Sequence, residues 1–218
     1  MLTLPVEQIS AGIFIMSKSI FNPSSQENNI SSKIVAGLER ISQAFKALLW
    51  EKAKLLGLSP IQIQILIFIS YHKIEFCNIS QLAKEFNITK PTVSDAVRIL
   101  HDKGMVIKDF SSFDSRSYFI RLSDLGKNIV ADTENFANPI KDQFKGIQPV
   151  DLENLFGILS KLIYQLNQTE ILTVQRTCYG CKFYSQTENN DYCNLLDKEL
   201  LNAEIRLDCP EFEERLCK

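Results

Sequence analysis

Five of the six cysteines lie in the last part of the chain, and four of them have a spacing suited to binding a metal centre. Cys178 and Cys181 form a C-x-x-C pair, which one tight turn can present as two thiolates. Cys193 and Cys209 follow on later loops, and Cys217 is then a spare thiol near the end of the sequence. The expected ligands are therefore Cys178, Cys181, Cys193 and Cys209, called here the four-cysteine site.

The identity of the metal stays open between iron–sulfur and zinc. Structural zinc commonly uses two C-x-x-C knuckles, whereas this segment has one. A single C-x-x-C with Phe183 two residues later, followed by two isolated cysteines, resembles the high-potential iron–sulfur proteins. That resemblance implies a [4Fe-4S] cluster. The apolar and aromatic residues nearby suit a desolvated cluster, and they equally suit a small core around zinc, which is the alternative cofactor. A set of redox-active thiols without metal is a third possibility.

A second group of residues with chemistry lies on one face of a helix that begins after Thr89. Val93, Ala96, Val97 and Leu100 recur with helical spacing, so they form the face that must be buried. Polar residues cluster on the opposite face near the start of the helix, which is where a recognition helix touches base edges in the major groove. The residues expected to contact DNA here are Thr89, Lys90, Thr92, Ser94, Asp95 and Arg98.

The stretches on either side of this helix predict a winged helix-turn-helix. Asn78 and Gln81 form a capping pair for a short preceding helix, which Asn87 ends. Gly104 can take a positive φ and stop the second helix. The sequences MVIKDF and SYFIRL then alternate as two strands of a hairpin, the wing. This order of elements within about 45 residues indicates DNA binding much more strongly than any single helix would.

The arrangement resembles the MarR family of bacterial transcription regulators. The wing of that family carries an Asp-x-Arg signature, which falls on Asp114, Ser115 and Arg116 of this sequence. The LSDLGK stretch at 122–127 is similar to the family's Leu-Thr-x-x-Gly, and the resemblance runs from about residue 30 to about residue 168. It implies that the arginine enters the minor groove while Asp114 helps to hold it. A guanidinium suits a narrow groove of negative potential.

Asp95 departs from the family pattern, because many members carry a basic residue at that position. Its carboxylate could accept a hydrogen bond from a cytosine amino group, or it could orient Arg98 one turn later. The base preference of the family therefore cannot be carried over to this chain.

The helices that flank the winged helix have apolar faces that predict a homodimer. Residues 30–57 hold helical spacing up to a glycine stop, Ser123 caps a helix that runs toward Phe144, and residues 149–168 form another. The MarR resemblance implies that the first and last two helices interlock two subunits, and a self-contained helical cap is the alternative. A two-fold dimer would place two recognition helices one DNA turn apart, about 34 Å.

The composition narrows the class of protein further. The chain has 218 residues, 45% of them hydrophobic, and can bury a real core. Its net charge of −2 argues against coating nucleic acid indiscriminately, so DNA binding must be local. It contains no apolar run of about 20 residues and no signal-peptide pattern, so we expect a cytoplasmic protein without membrane contact. In a reducing compartment, the cysteines are better interpreted as thiols or metal ligands than as disulfides.

These observations predict a mainly α protein in three parts. Residues 1–29 form an N-terminal extension, 30–170 the winged-helix and dimerisation domain, and 176–218 the cysteine-rich module. The leading hypothesis is a dimeric regulator that binds double-stranded operator DNA and responds to the redox or metal state of the four-cysteine site.

Two other hypotheses remain open. The metal could be a purely structural staple in a regulator controlled by a small-molecule effector, or the chain could be a protein-docking or electron-transfer module. No catalytic constellation or nucleotide-binding motif is visible, so we do not expect an enzyme.

Overall fold

The computed structural model describes residues 19–110, 118–187 and 190–215. The chain divides into two compact units, Met1–Lys46 and Ala47–Lys218, and the boundary falls inside helix α2. In the described part of the first unit, a short helix α1 (Pro23–Gln26) is capped by Asn22 and precedes the start of α2 (Ile30–Leu56). Helix α2 stops at Gly57, whose φ of +59° is the left-handed conformation that glycine tolerates.

Helix α3 (Pro60–Tyr71) is the central helix of the winged-helix core. It starts with a capping box, in which the Gln62 N–H donates to Ser59 Oγ at 3.4 Å and the Ser59 N–H donates to Gln62 Oε1 at 2.8 Å. Ile63, Ile65 and Leu66 on this helix are completely buried. The helix therefore fixes the positions of the elements that follow it.

The helix-turn-helix and wing have the predicted order. Helix α4 (Ile79–Glu85) is capped by Asn78, and helix α5 (Lys90–Asp102) is capped by Thr89. Between them Asn87 has a φ of +52°, and Gly104 after α5 has a φ of +72°. Strands β1 (Val106–Asp109) and β2 (Phe119–Leu122) pair antiparallel, with Val106 opposite Leu122. The winged helix-turn-helix prediction is confirmed.

The single helix expected from Ser123 to Phe144 is wrong, because the structure breaks it into shorter pieces. Ser123 does cap a helix, α6 (Asp124–Thr133), through a 3.0 Å bond from the Gly126 N–H. A 3₁₀ helix (Glu134–Ala137) and helix α7 (Asn138–Asp142) then follow. Pro139 explains the break, since it lacks the N–H that a continuing helix needs and is tolerated only in a first turn.

Helix α8 (Pro149–Gln168) has the predicted bounds. Its buried positions are Gly157 and Ser160, on the side that packs against a 3₁₀ helix at Asn202–Glu204. Small residues at these two positions let the helix and the cysteine-rich segment approach closely. This contact was not predicted from the sequence.

The cysteine-rich segment folds around a small antiparallel sheet of order β3-β4-β5. The strands are β3 (Tyr184–Gln186), β4 (Asp191–Cys193) and β5 (Lys198–Leu200), and a 3₁₀ turn (Cys178–Gly180) precedes them. Its core contains buried Tyr179, Tyr184, Leu200 and Ile205, with Phe156 and Tyr164 of α8 packed against them. The segment and α8 therefore share one core.

Among the described residues, no single helix has both the length and the apolar composition to span a bilayer. Helices α2 and α3 reach that length and composition when taken together as a bent pair, but half of the α3 residues are buried.

Candidate nucleic-acid interface and four-cysteine site

Helix α5 presents one apolar face to the core and one polar face to solvent. Its buried positions are Val93, Ala96, Val97 and Leu100, which pack among the residues of the winged-helix core. The residues predicted to contact DNA are all solvent-exposed on or just before this helix: Thr89, Lys90, Thr92, Ser94, Asp95 and Arg98. The structure thus gathers these six side chains on one accessible surface, which we call the α5 polar face.

Two local arrangements order the α5 polar face. Thr89 Oγ1 and Thr92 Oγ1 lie 2.8 Å apart, so both hydroxyls are held at the start of the helix. The Arg98 guanidinium lies between two carboxylates, with Asp95 Oδ1 at 3.4 Å and Asp102 Oδ2 at 3.7 Å. Of the two roles considered for Asp95, the contact that orients Arg98 is present in the protein alone. These exposed pairs are weak, and Arg98 can exchange them for other acceptors at little cost.

The tip of the wing, with Asp114 and Arg116, lies outside the described residues. Side-chain contacts hold strands β1 and β2 of the wing together. Arg121 Nε donates to Asp109 Oδ2 at 2.6 Å, and Lys108 lies 5.3 Å from the centroid of the Tyr118 ring. The hairpin is therefore a firm support for the Asp-x-Arg segment.

The structure brings the four predicted metal-ligating cysteines to the wall of one small cavity of about 30 Å³. Cys178 and Cys181 are buried, and the other two are partly exposed. Aliphatic and aromatic side chains form much of the remaining wall: Phe183, Tyr184, Leu195, Leu196 and Leu200. Cysteines separated by up to 31 positions in sequence thus converge on an apolar space.

Charged groups around this cavity are arranged so that a cation faces the sulfurs. The Arg206 backbone N–H donates to Cys178 Sγ at 3.3 Å, and Arg206 Nη1 lies 3.8 Å from Cys209 Sγ. Two carboxylates also reach the wall, but each has its own cation. Glu204 pairs with Lys198 at 2.6 Å, and Glu211 lies 3.9 Å from Lys73.

The surroundings of Cys178 favour its thiol form. Burial raises the pKa of Cys178, the hydrogen bond from Arg206 opposes that rise, and the nearby sulfurs of the other three cysteines add to it. A bound cation reverses this preference, because a coordinating thiol is deprotonated. Among the described residues, no three or more His, Cys, Asp or Glu side chains are grouped closely enough to hold a metal ion.

A buried cluster of charges, missed by the sequence analysis, lies beside this site. The Arg176 side chain is only 8% exposed and donates to both carboxylate oxygens of Glu85, at 2.6 and 3.3 Å. Its Nη1 also donates to Asp208 Oδ1 at 3.2 Å, and Asp208 Oδ2 lies 2.6 Å from His72 Nε2. The partners are up to 136 residues apart, so no local pattern signals this cluster.

The same contacts shift the titration of the ionisable groups. The hydrogen bond from His72, followed by the charge of Arg176, lowers the pKa of Asp208 despite its partial burial. Burial by itself lowers the pKa of His72, but the contacts with Asp208 and the Phe68 carbonyl outweigh it and leave that pKa raised. The contact with Asp208 explains the position of His72 at the end of α3.

Comparisons with known proteins give one family and one fold. The MarR family model matches residues 56–117. The DNA complex of MepR from S. aureus is 23% identical, with a TM-score of 0.52, and the match covers 59% of this chain and 94% of MepR. A MarR protein from Peptoclostridium difficile DA00132 is 21% identical, with a TM-score of 0.56, over 65% of this chain and 92% of that one.

A MarR/EmrR family transcriptional regulator from Acinetobacter sp. ADP1 gives a similar result. It is 20% identical, with a TM-score of 0.53, and the match covers 64% of this chain and 99% of the regulator. Each match spans nearly the whole regulator but leaves about a third or more of this chain without a counterpart. The chain therefore has the MarR-type winged-helix fold, with a MarR sequence match across its helix-turn-helix, and carries additional segments beyond it.

Proposed function

We propose that this chain is a sequence-specific, DNA-binding transcription regulator. One observation carries the proposal: all six α5 residues selected from the sequence are exposed together, while the opposite face of the same helix is buried. The MarR-type fold supports it, since MepR of S. aureus has this fold and its structure is a DNA complex. The net charge of −2 is consistent with a local contact surface rather than general affinity for nucleic acid.

In this proposal α5 enters the major groove with its N-terminal end toward the bases. The hydroxyls of Thr89, Thr92 and Ser94 can donate to or accept from base edges and phosphates. Arg98 exchanges its two exposed aspartate partners for a base or a phosphate. Arg116 at the wing tip enters the adjacent minor groove, where negative potential favours a guanidinium.

We also propose that the regulator is a homodimer, joined through α2 and α8. Both helices expose large apolar side chains that a monomer would leave in water: Ile30, Ile34, Val35, Ile41 and Phe45 on α2, and Val150, Leu155 and Ile158 on α8. Contiguous apolar exposure of this kind marks protein interfaces. A two-fold axis would then give the operator two half-sites.

For the four-cysteine site we propose an iron–sulfur cluster, with zinc as the alternative. All four cysteines line one cavity, and its wall is largely apolar. Arg206 places its backbone N–H beside Cys178 Sγ and its guanidinium beside Cys209 Sγ. Cys178, Cys181, Cys193 and Cys209 would each bind iron as thiolates. A bound cluster would supply a redox-sensitive and oxygen-sensitive crosslink for a segment that has little core of its own. Its state would control DNA affinity.

A small-molecule effector is the other form of control that the structure can accommodate. A pocket of about 520 Å³ lies between the end of α3 and the wing, with Ile69, Ile74 and Leu122 on its apolar side and Arg121 and Lys127 on its polar side. Such a lining suits an amphipathic anion. In that case the four-cysteine site would serve only to hold the C-terminal segment in place.

Selection of bound duplexes from genomic fragments tests the main proposal directly. Purified full-length protein is mixed with fragmented DNA at physiological salt, and retained duplexes are sequenced and footprinted. We expect an enriched sequence with two protected half-sites about 34 Å apart. Retention no stronger than that of random duplexes at the same salt concentration would overturn the proposal.

A further inference from the structure

The chain that leaves α8 crosses the helix-turn-helix before it reaches the first cysteine of the site. Residues 171–176, called here the connecting segment, make two side-chain hydrogen bonds to this motif in addition to those of Arg176. Asn87 Nδ2 donates to the Ile171 carbonyl at 3.2 Å, and Thr173 Oγ1 donates to the Lys84 carbonyl. Asn87 is the positive-φ residue of the turn between α4 and α5. The connecting segment therefore contacts the turn that sets the angle of the recognition helix.

Arg176 ends the connecting segment and anchors it to α4. Its guanidinium forms a two-pronged contact with the Glu85 carboxylate, and its central carbon lies 4.9 Å from the Phe76 ring centroid and 5.9 Å from that of Phe68. A buried, bidentate pair of this kind has one preferred geometry, and removing either partner leaves an uncompensated charge. The position of α4 is thus coupled to the position of Arg176.

Arg176 is in turn fixed by the segments that carry two of the cysteines. Its carbonyl accepts the Cys209 N–H at 3.2 Å, and its guanidinium reaches Asp208, the residue before Cys209. Cys178 follows two positions later, and its N–H donates to the Arg206 carbonyl at 3.2 Å. If Cys178 and Cys209 are held in one site, the chain that follows Arg176 and the segment that contacts its carbonyl and guanidinium are held in place as well.

We propose that Arg176 is a positioning residue that transmits the state of the four-cysteine site to the recognition helix. The inference rests on the proposed DNA-binding function and gives it a physical route. In a closed site, the four cysteines are held together, and Arg176 and Asp208 stay aligned. Their alignment orients Glu85, the end of α4 and the Asn87 turn. An open site releases Cys178 and Cys209, so the Arg176 pair loses its support and the turn gains freedom. The operator then binds a less ordered recognition helix and loses affinity.

A double-mutant comparison in the full-length protein separates this route from ordinary packing. Cys209→Ser opens the site, and Glu85→Gln cuts the proposed connection on the α4 side. Glu213→Gln is the matched control, because Glu213 also pairs with a cation, Lys182, but that pair lies wholly within the cysteine-rich segment. Each of the three substitutions is made alone, and Cys209→Ser is then combined with each glutamine variant.

Hydrogen exchange of peptides covering 79–92 and the affinity for the selected operator are measured for every variant. We expect Cys209→Ser to raise exchange across α4 and the turn and to weaken DNA binding by about 5-fold or more, in both the wild-type and Glu213→Gln backgrounds. In the Glu85→Gln background, we expect the peptides to exchange faster already. There, Cys209→Ser should weaken DNA binding by less than about 2-fold more. The double-mutant cycle of Cys209→Ser with Glu85→Gln thus reports the coupling itself.

The same effect of Cys209→Ser in the Glu85→Gln and wild-type backgrounds would overturn the proposal, as would unchanged exchange at 79–92 in Cys209→Ser. If Glu85→Gln is not folded by circular dichroism, Asn87→Gly replaces it, because glycine accepts the positive φ without strain while removing the bond to Ile171. Hydrogen exchange needs no DNA. A wild-type protein that binds no duplex would therefore refute the proposed function while leaving this test decisive.

Discussion

Arg98 is the side chain of the α5 polar face best placed to leave its present partners for DNA. It is 60% exposed, and both of its aspartate contacts are longer than 3.3 Å. Replacing Arg98 by alanine should weaken operator binding by about 1 to 3 kcal/mol if it contacts a base, or lower the salt slope by about one unit if it contacts a phosphate. Fluorescence anisotropy at several salt concentrations distinguishes the two outcomes.

Lys145→Ala is the control for this measurement. Lys145 is exposed and pairs with Asp142 three residues earlier at 3.0 Å, so it resembles Arg98 in charge and local pairing but lies outside the α5 polar face. It should bind the operator like the wild type. Equal losses in both variants would indicate general electrostatic attraction and not recognition by α5.

Gly126, in the LSDLGK stretch, is required by close packing. A Cβ at this position would lie 2.1 Å from the Met105 carbonyl oxygen, a backbone atom that cannot move aside easily. Gly126→Ala should therefore destabilise the winged helix by about 1 to 3 kcal/mol, measured by urea denaturation. Gly37→Ala in α2 is the comparison, since a Cβ there meets nothing within 4 Å and alanine favours helix by about 1 kcal/mol. Equal midpoints for the two variants would refute the packing argument.

Cys77 differs from the other described cysteines because it lies in the winged-helix core. It is 1% exposed, and burial, followed by the charge of Glu75, raises its pKa to about 11. At pH 8 the group is therefore the neutral thiol, which is a poor nucleophile. Iodoacetamide followed by peptide mass spectrometry should find Cys77 unmodified in the native protein and modified in urea. Rapid labelling under native conditions would show that the core opens locally.

For individual residues, the sequence predicts the contacts that form between near neighbours along the chain. The caps at Asn78 and Ser123 were predicted because a side chain and the N–H from which it accepts a hydrogen bond are three residues apart. The Arg176–Glu85 pair was not predicted, because its members are 91 residues apart and either charge alone resembles a solvated surface residue. Only the fold brings them together.

At the scale of elements, helix starts and stops were more predictable than the faces that helices use. Helix α8 has the predicted bounds, yet its most buried positions are Gly157 and Ser160, not its large apolar residues. Those small residues are buried because the cysteine-rich segment approaches them, and that segment's three-residue strands are too short to show a period of two. Leu159 and Leu162, two of the large apolar residues, are only half-buried.

The exposed part of α8 leads to a prediction about assembly. Ile158 is 64% exposed on a helix proposed to join two subunits. Ile158→Glu would place a charge in that interface at a cost of several kcal/mol, so it should shift a dimer toward monomers. Sedimentation equilibrium measures the change.

Ile107→Glu is the matched control for the dimer test, because Ile107 is 54% exposed on the wing and outside the proposed interface. It should leave the mass in solution unchanged. If Ile158→Glu also retained the wild-type mass, the dimer would have to form through another surface, or the flanking helices would be a self-contained cap.

For the whole molecule, the winged helix and the cysteine-rich segment belong to one compact unit, Ala47–Lys218. The change in composition after residue 170 indicated a separate module, but Phe156 and Tyr164 of α8 complete its core. The buried Arg176 cluster joins it to α3 and α4. The composition shows where the cysteines are concentrated. Cooperative folding depends instead on which side chains share a core, and only the three-dimensional structure shows that. A change at the four-cysteine site should therefore be felt beyond the last 41 residues.

The ligand set of the four-cysteine site is the prediction on which control of the whole molecule depends. Serine replaces Cys178, Cys181, Cys193, Cys209 and Cys217 one at a time, and Cys77→Ala serves as the control. Iron, zinc and acid-labile sulfide per chain are measured after anaerobic purification. The four variants of the site should lose most of their metal, because a serine hydroxyl does not replace a thiolate ligand. Cys217→Ser and Cys77→Ala should retain it.

Iron with sulfide identifies a cluster, and zinc without sulfide identifies the alternative cofactor. Equal metal content in all six variants would show that the four cysteines do not bind the metal. Loss of metal in Cys217→Ser, together with retention of metal in one of the four site variants, would show that Cys217 is a ligand and that the other cysteine is not. Operator titrations of metal-loaded and chelator-treated protein then decide the role. A coupling of 1 to 3 kcal/mol corresponds to about 5- to 150-fold in affinity, so a switch is measurable even if it is modest. Equal affinities would make the centre a structural staple, and a small-molecule effector would then be the better explanation of control.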